Sequence, residues 1–195
     1  MAADEARDDP AGDFEVTGET EVYAGYLVSV AQVQVLDPDG RPFERDIVHH
    51  PGAVAVLPVH DDGTVTLVRQ FRTAFATTVL EAPAGTRDVD GESAEATARR
   101  ELVEEAGLEA DGMELLVEAY NSPGYCDQVT SVFLATGLRP VPTDRGAVEE
   151  RWMTTERVAL DDVSELVANG TLHDSLTILG IGLARAALAR RGGAR

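Results

Sequence analysis

Glu101, Glu104 and Glu105 stand at i, i+3 and i+4 in a stretch that reads as a helix. At about 100° per residue they fall within an arc of about 100° on one helix face. Three like charges there repel one another, and they lie in the last turns, where the helix's partial negative charge disfavours anions. Each effect costs from a few tenths to about 1 kcal/mol, and both have the same sign. A bound divalent cation would reverse both, and carboxylate oxygens suit a hard ion such as Mg²⁺ or Mn²⁺. A solvated acidic face is the plain alternative. Two neighbours weigh against it: Arg100 can pair with an adjacent carboxylate and hold it in place. Glu92 lies just ahead of the helix, where the dipole favours an anion.

The helix that carries these groups spans residues 93–106. Ser93 is its N-cap, Gly107 its C-terminal glycine, and Ala94, Ala98, Leu102 and Ala106 recur every four residues as an apolar stripe. Before it, residues 21–35 are rich in β-branched and aromatic side chains. Their alternation changes phase near Ala31, which predicts a bulge or a break there. Asp37-Pro38-Asp39-Gly40 is a turn, and residues 43–49 return as a strand that ends at His49 and His50, a pair read first as structural, with a metal role as the alternative. The runs 52–59 and 64–71 are strands, with His60-Asp61-Asp62-Gly63 as the turn between them. Strands are expected at 113–120, 129–136 and near Trp152, with a loop over 137–149. Helices are expected at 161–168 and 175–191. Trp152 and Tyr120 read most simply as core aromatics, though Tyr120 stands close enough in sequence to Pro123 to reach a base. Mixed elements without a regular βαβ repeat indicate an α+β or mixed-sheet sandwich.

Composition bounds the function. The chain has 195 residues, enough for one domain with an appended element. Its 16 basic residues, all arginine, face 35 acidic ones, giving a net charge of −19. That balance argues against a nucleic-acid binder and against docking on an anionic membrane. The absence of lysine removes Schiff-base chemistry and a P-loop lysine. One cysteine, Cys126, excludes an internal disulfide framework and a cysteine-rich zinc site. Residues 1–13 read as a disordered acidic tail, with no apolar run of a signal peptide. No stretch approaches the length of a membrane span, and the expected location is the cytoplasm.

The segment 100–108, Arg-Glu-Leu-Val-Glu-Glu-Ala-Gly-Leu, resembles the second half of the Nudix box, and Glu92 precedes Arg100 at the spacing the box requires. Six residues separate Gly85 from Glu92, one more than is usual in that family, and the extra residue falls in the loop before the helix. Glu81-Ala82-Pro83-Ala84-Gly85 and Arg69-Gln70-Phe71-Arg72 are similar to segments of the ADP-ribose pyrophosphatase branch. So are Pro123, sixteen residues after Gly107, and the His173-Asp174-Ser175 opening of the last helix.

The resemblance implies a Nudix-type α/β/α sandwich with a mixed β-sheet over residues 51–192. It also implies a small N-terminal antiparallel strand unit, residues 14–50, that serves dimerisation. The activity implied is Mg²⁺- or Mn²⁺-dependent hydrolysis of ADP-ribose to AMP and ribose 5-phosphate. Glu101, Glu105, Glu104 and the Ala84 carbonyl would hold metal, with Glu92 and Arg100 supporting the helix. The general base would be Glu149, or else Glu150, in a loop before Trp152, unless Glu105 activates the water itself. Arg72, and less directly Arg69, Glu81, Pro123 and Gly124, would bind substrate. Two other functions stay open: hydrolysis of another nucleoside diphosphate sugar, and a Nudix-like module that senses a nucleotide without cleaving it.

Overall fold

The computed structural model describes residues 13–143 and 150–192, the side chains of Glu150 and Gly192 excepted. The expected acidic tail therefore lies outside the described residues apart from Asp13. The chain divides into two compact units, Met1–Pro51 with Ser122–Gln128, and Gly52–Asn121 with Val129–Arg195.

The first unit is an antiparallel sheet of β1 (Glu15–Ala24), β2 (Ser29–Leu36) and β3 (Pro42–His49), in the order β1-β2-β3. β2 pairs with β3 without interruption from Ser29↔His49 to Leu36↔Pro42. The expected irregularity near Ala31 falls on the partner strand instead. Glu21 faces Ala31 and Tyr23 faces Val30, so Val22 is the extra residue of β1. A turn at residues 25–28 then breaks what read as one strand, with the Gly25 N–H donating to the Val28 carbonyl. The Ser122–Gln128 segment joins this unit through β3: the Val48 N–H donates to the Tyr125 carbonyl and the Asp127 N–H to the Val48 carbonyl. The His49 ring joins the two as well, its Nδ1 2.6 Å from Asp127 Oδ2.

The second unit is built on a four-stranded mixed sheet in the order β7-β4-β9-β8, where β4 is Ala53–Pro58, β7 Ala84–Thr86, β8 Leu108–Tyr120 and β9 Val129–Pro140. β4 and β9 run parallel, and the other pairs are antiparallel. Strand alternation explains why the run 52–59 is apolar throughout. Val54 and Val56 face one core with Phe133 and Ala135, against Ala98 and Leu102 of helix α1 (Ala94–Ala106). Ala55 and Leu57 face the other with Val132 and Leu134, against Ile181, Ala184 and Ala187 of helix α3 (Ser175–Gly192). Helices thus cover both faces of the mixed sheet, as the sequence implied. A second sheet, β10-β5-β6, closes the α3 side with β5 (Thr64–Arg72), β6 (Thr77–Glu81) and β10 (Thr154–Ala159). Helix α2 (Val163–Ala168) follows β10.

Two local expectations are corrected and one is met. β9 runs on to Pro140, with Gly137 at φ +68, where a loop was expected from 137. The strand expected near Trp152 is β10, and Trp152 itself sits in the 3₁₀ turn just ahead of it, Glu150–Trp152. Trp152 is 83% exposed and Tyr120 72%, so neither is a core aromatic. The cores are filled by Leu, Val, Ile and Ala with little need of large rings.

Candidate active site

Helix α1 starts on Ser93, whose hydroxyl accepts the Ala96 N–H at 3.2 Å, and closes on Gly107 at φ +63, a left-handed conformation that suits glycine. Its apolar stripe is pinned by Ala98 and Leu102, both fully buried. With that stripe inward, Glu101 and Glu105 turn toward the start of β7, and both are buried, at 6% and 3% exposed. Glu105 Oε2 accepts the Ala84 N–H at 2.9 Å. Glu101 lies against Gly85 so closely that a Cβ at position 85 would stand 2.0 Å from its carboxyl carbon. The glycine is therefore required by the space the carboxylate occupies.

Arg100 ties the acidic face together. Its Nη1 donates to Glu101 Oε1 at 2.7 Å and to Glu104 Oε2 at 3.0 Å, and its Nε and Nη2 reach the Glu92 carboxylate at 3.5 and 3.4 Å. Burial works against the guanidinium's charge, but the bonds and charges of Glu92, Glu101 and Glu104 outweigh it and raise its pKa. Glu92 also accepts the Thr97 hydroxyl at 2.9 Å, and these bonds hold its carboxyl below the usual range. Arg100 and Glu92, expected to support the helix, are thus bonded to it and to each other.

Glu105 is in the opposite situation. Desolvation pushes its carboxyl up to about 8, opposed by the Ala84 N–H and by Arg72, and helped by the negative charges of Glu101 and Glu81. Glu81 is likewise raised, by burial first, even though Arg72 grips it through two bonds from Nε and one from Nη2, at 2.9 to 3.2 Å. Three buried carboxylates thus crowd one end of the helix.

Among the described residues no three His, Cys, Asp or Glu groups stand gathered as a finished cation site. The donor set nonetheless fits a hard divalent ion. Its groups are carboxylate oxygens, and a cation would offset both the burial that chiefly raises Glu105 and the added repulsion of Glu101 and Glu81.

The remaining expected residues fall in different places. Arg72 and Glu81 are brought to the acidic cluster, whereas Arg69 donates to Glu156 Oε2 of β10 at 2.7 Å. Three residues apart on β5, the two arginines point to opposite faces. Pro123 and Gly124 belong to the first unit, with the Ser122 carbonyl accepting the Tyr125 and Cys126 N–H groups around them. Glu149 lies outside the described residues, as does the side chain of Glu150. Sequence reading missed Thr177, fully buried in α3, whose hydroxyl accepts the Ala82 N–H at 2.7 Å. The only signal was the Asp174-x-x-Thr177 capping pattern at the helix start.

A model of the NUDIX domain matches residues 48–170. The chain is 37% identical over 161 residues to the ADP-ribose pyrophosphatase of Bacillus subtilis, covering 83% of this chain and 86% of that protein. It is 36% identical over 169 residues to the ADP-ribose pyrophosphatase of Mycobacterium tuberculosis, covering 87% and 82%. The crystal structure of an ADP compounds hydrolase superposes with a TM-score of 0.80 over 92% of this chain and 96% of that one, and at 21% identity it speaks to the fold alone. With the box residues assembled on α1 and the family's domain spanning most of its length, this chain belongs to the Nudix family and is a Nudix hydrolase.

Proposed function

We propose that the protein hydrolyses ADP-ribose to AMP and ribose 5-phosphate in the presence of Mg²⁺ or Mn²⁺. The observation that carries this reading is the pair Glu101 and Glu105, both buried and both set against the Ala84-Gly85 backbone. The names of the two curated relatives supply the substrate class.

Glu101, Glu105 and Glu104, with the Ala84 carbonyl, would hold the cation. When bound, it neutralises the diphosphate, polarises phosphorus and lowers the pKa of water. The chain's own residues do the rest. Arg100 keeps Glu101 and Glu104 on one face of the helix. Arg72, locked by Glu81 yet part-exposed, presents positive charge to a phosphate, and Arg69 lies further off on the opposite face of β5. Pro123 and Gly124 would shape the loop near the ribose. Glu149, with Glu150 as the second choice, would accept the proton from the attacking water. In a chain of charge −19, substrate anions need these local cations to approach at all.

A homodimer is part of the same reading. Nine of the ten residues of β1 are exposed, the apolar Val16, Val22 and Tyr23 beside Glu15, Glu19 and Glu21, and a second copy would cover that strand. Among the described residues no helix is long and apolar enough to cross a membrane; a cytoplasmic location is a separate part of the proposal.

The test is AMP release from ADP-ribose with Mg²⁺, run beside UDP-glucose, GDP-mannose and diadenosine polyphosphates, with Glu105→Gln as the control. ADP-ribose turnover that vanishes in the variant supports the proposal. Preferred turnover of another nucleotide sugar removes the substrate assignment, and undiminished turnover by Glu105→Gln removes the site.

A further inference from the structure

Ala82 and Pro83, which link β6 to β7, form a strap with Ala84, the first residue of β7, and each of the three is held by a different element. The Ala82 N–H donates to Thr177 Oγ1 of α3 at 2.7 Å. The Pro83 carbonyl accepts the Val56 N–H of β4 at 2.8 Å. The Ala84 N–H donates to Glu105 Oε2 of α1 at 2.9 Å. Pro83 has no N–H and a fixed φ, so the strap has few ways to rearrange between its two amide anchors.

The direction of the first anchor is fixed by Asp174. Thr177 Oγ1 lies 2.6 Å from Asp174 Oδ2, and a carboxylate can only accept, so the hydroxyl proton goes to Asp174. The hydroxyl oxygen is left to accept, and the Ala82 N–H is what it meets. Asp174 is itself held in place by capping α3, its Oδ2 accepting the Thr177 N–H at 2.7 Å. Ala82 is 3% exposed and Thr177 0%, so water cannot stand in for either partner.

We infer that Thr177, oriented by Asp174, is a positioning residue for the metal-binding strap: α3 sets where the Ala84 backbone stands, and through the Ala84 N–H it sets the Glu105 carboxylate. This rests on the reading that Glu105 and Ala84 hold the cation. Thr177 touches neither cation nor substrate. Its effect is transmitted over two residues of backbone.

The experiment compares Thr177→Val, which keeps the shape and loses the hydroxyl, with Thr177→Ser, which keeps the hydroxyl, in the full chain. Two quantities are read at a temperature where circular dichroism shows all proteins folded: amide exchange at Ala82 and Ala84 without metal, and Mn²⁺ affinity from the free-ion EPR signal. The valine variant is expected to exchange faster at both amides and to bind Mn²⁺ about 10- to 100-fold more weakly. The serine variant is expected to stay within about 3-fold of wild type, inside that threshold. A merely structural role for Thr177 would lower stability without moving Mn²⁺ affinity in the folded protein. Wild-type Mn²⁺ affinity in Thr177→Val overturns the inference while leaving the metal site standing, provided Glu105→Gln abolishes binding. Wild-type affinity in Glu105→Gln overturns the metal site and the inference with it. If Thr177→Val does not fold, Asp174→Asn decides: releasing the hydroxyl's orientation should weaken Mn²⁺ binding in the same direction, and unchanged binding rejects the role.

Discussion

Gly85 and Glu101 occupy touching space: a Cβ on residue 85 would lie 2.0 Å from both the Glu101 carboxyl carbon and its Oε1. The backbone of β7 and the buried carboxylate of α1 approach as closely as they do because residue 85 has no side chain. Gly85→Ala must therefore displace Glu101. Its cost in stability should be that of an overpacked site, about 1–3 kcal/mol. Its cost in turnover should be larger than that loss implies, because the displaced group is a proposed metal ligand. Thermal unfolding and steady-state hydrolysis on the same preparation check this. A variant with lowered Tm and unchanged kcat would show that Glu101 does not need its present position.

Arg100 holds Glu92, Glu101 and Glu104 at once, with its side chain 30% exposed. Arg100→Gln leaves three carboxylates facing one another, and unfolding in urea should show a loss of about 2 kcal/mol. Arg100→Lys keeps the charge without the fork and should recover only part of it. If the acidic face holds a cation, Mg²⁺ should narrow the gap between Arg100→Gln and wild type. A gap indifferent to Mg²⁺ would count against that face as a metal site.

His49 lends the first unit a dependence on pH. Its Nδ1 is 2.6 Å from Asp127 Oδ2 and its Nε2 makes an ion-pair contact with Glu19 at 3.2 Å. The Asp127 hydrogen bond raises the imidazole pKa above 6.5; partial burial opposes this, and the charges of Asp127 and Glu19 add to it. The folded chain thus holds this proton more tightly than the unfolded chain does. The stabilisation is complete below pH 6.5 and is lost as pH rises through the elevated folded value. The stability difference between wild type and His49→Gln should be level on the acid side of pH 6.5 and shrink as pH rises above it. A difference that stays constant through that rise would falsify the assignment, and an NMR titration of His49 reads the same shift directly.

Leu102 is fully buried between α1 and the mixed sheet. Leu102→Ala should cost about 2–5 kcal/mol by lost burial and the cavity left behind. At low temperature, where the variant remains folded, it should retain the ability to bind Mn²⁺, since Leu102 supports α1 from the side away from the strap. Chemical denaturation and Mn²⁺ binding at about 10 °C separate the two effects.

The local features of the site were already written in the residue order. Ser93 and Gly107 bound the helix, the four-residue stripe orients it, and the helical repeat then places Glu101, Glu104 and Glu105 together, because capping and periodicity act over a single turn or two. The box also carried the family, since its residues are close neighbours in the chain. Parity along β5 held the separation of Arg69 from Arg72 as well, although the motif grouped them. Other features depend on groups far apart in the chain. Thr177 meets Ala82 across 95 positions and Glu105 meets Ala84 across 21. No local preference encodes either contact, because each exists only once α1 and α3 have packed on opposite faces of the same sheet. The raised pKa of Glu105 has the same origin: burial and the nearness of Glu81 come from packing. Exposure of Trp152 and Tyr120 ran against their residue type because both cores close without them. Chemistry that lies within one helix can be read in one dimension; the backbone that holds it in place needed the third.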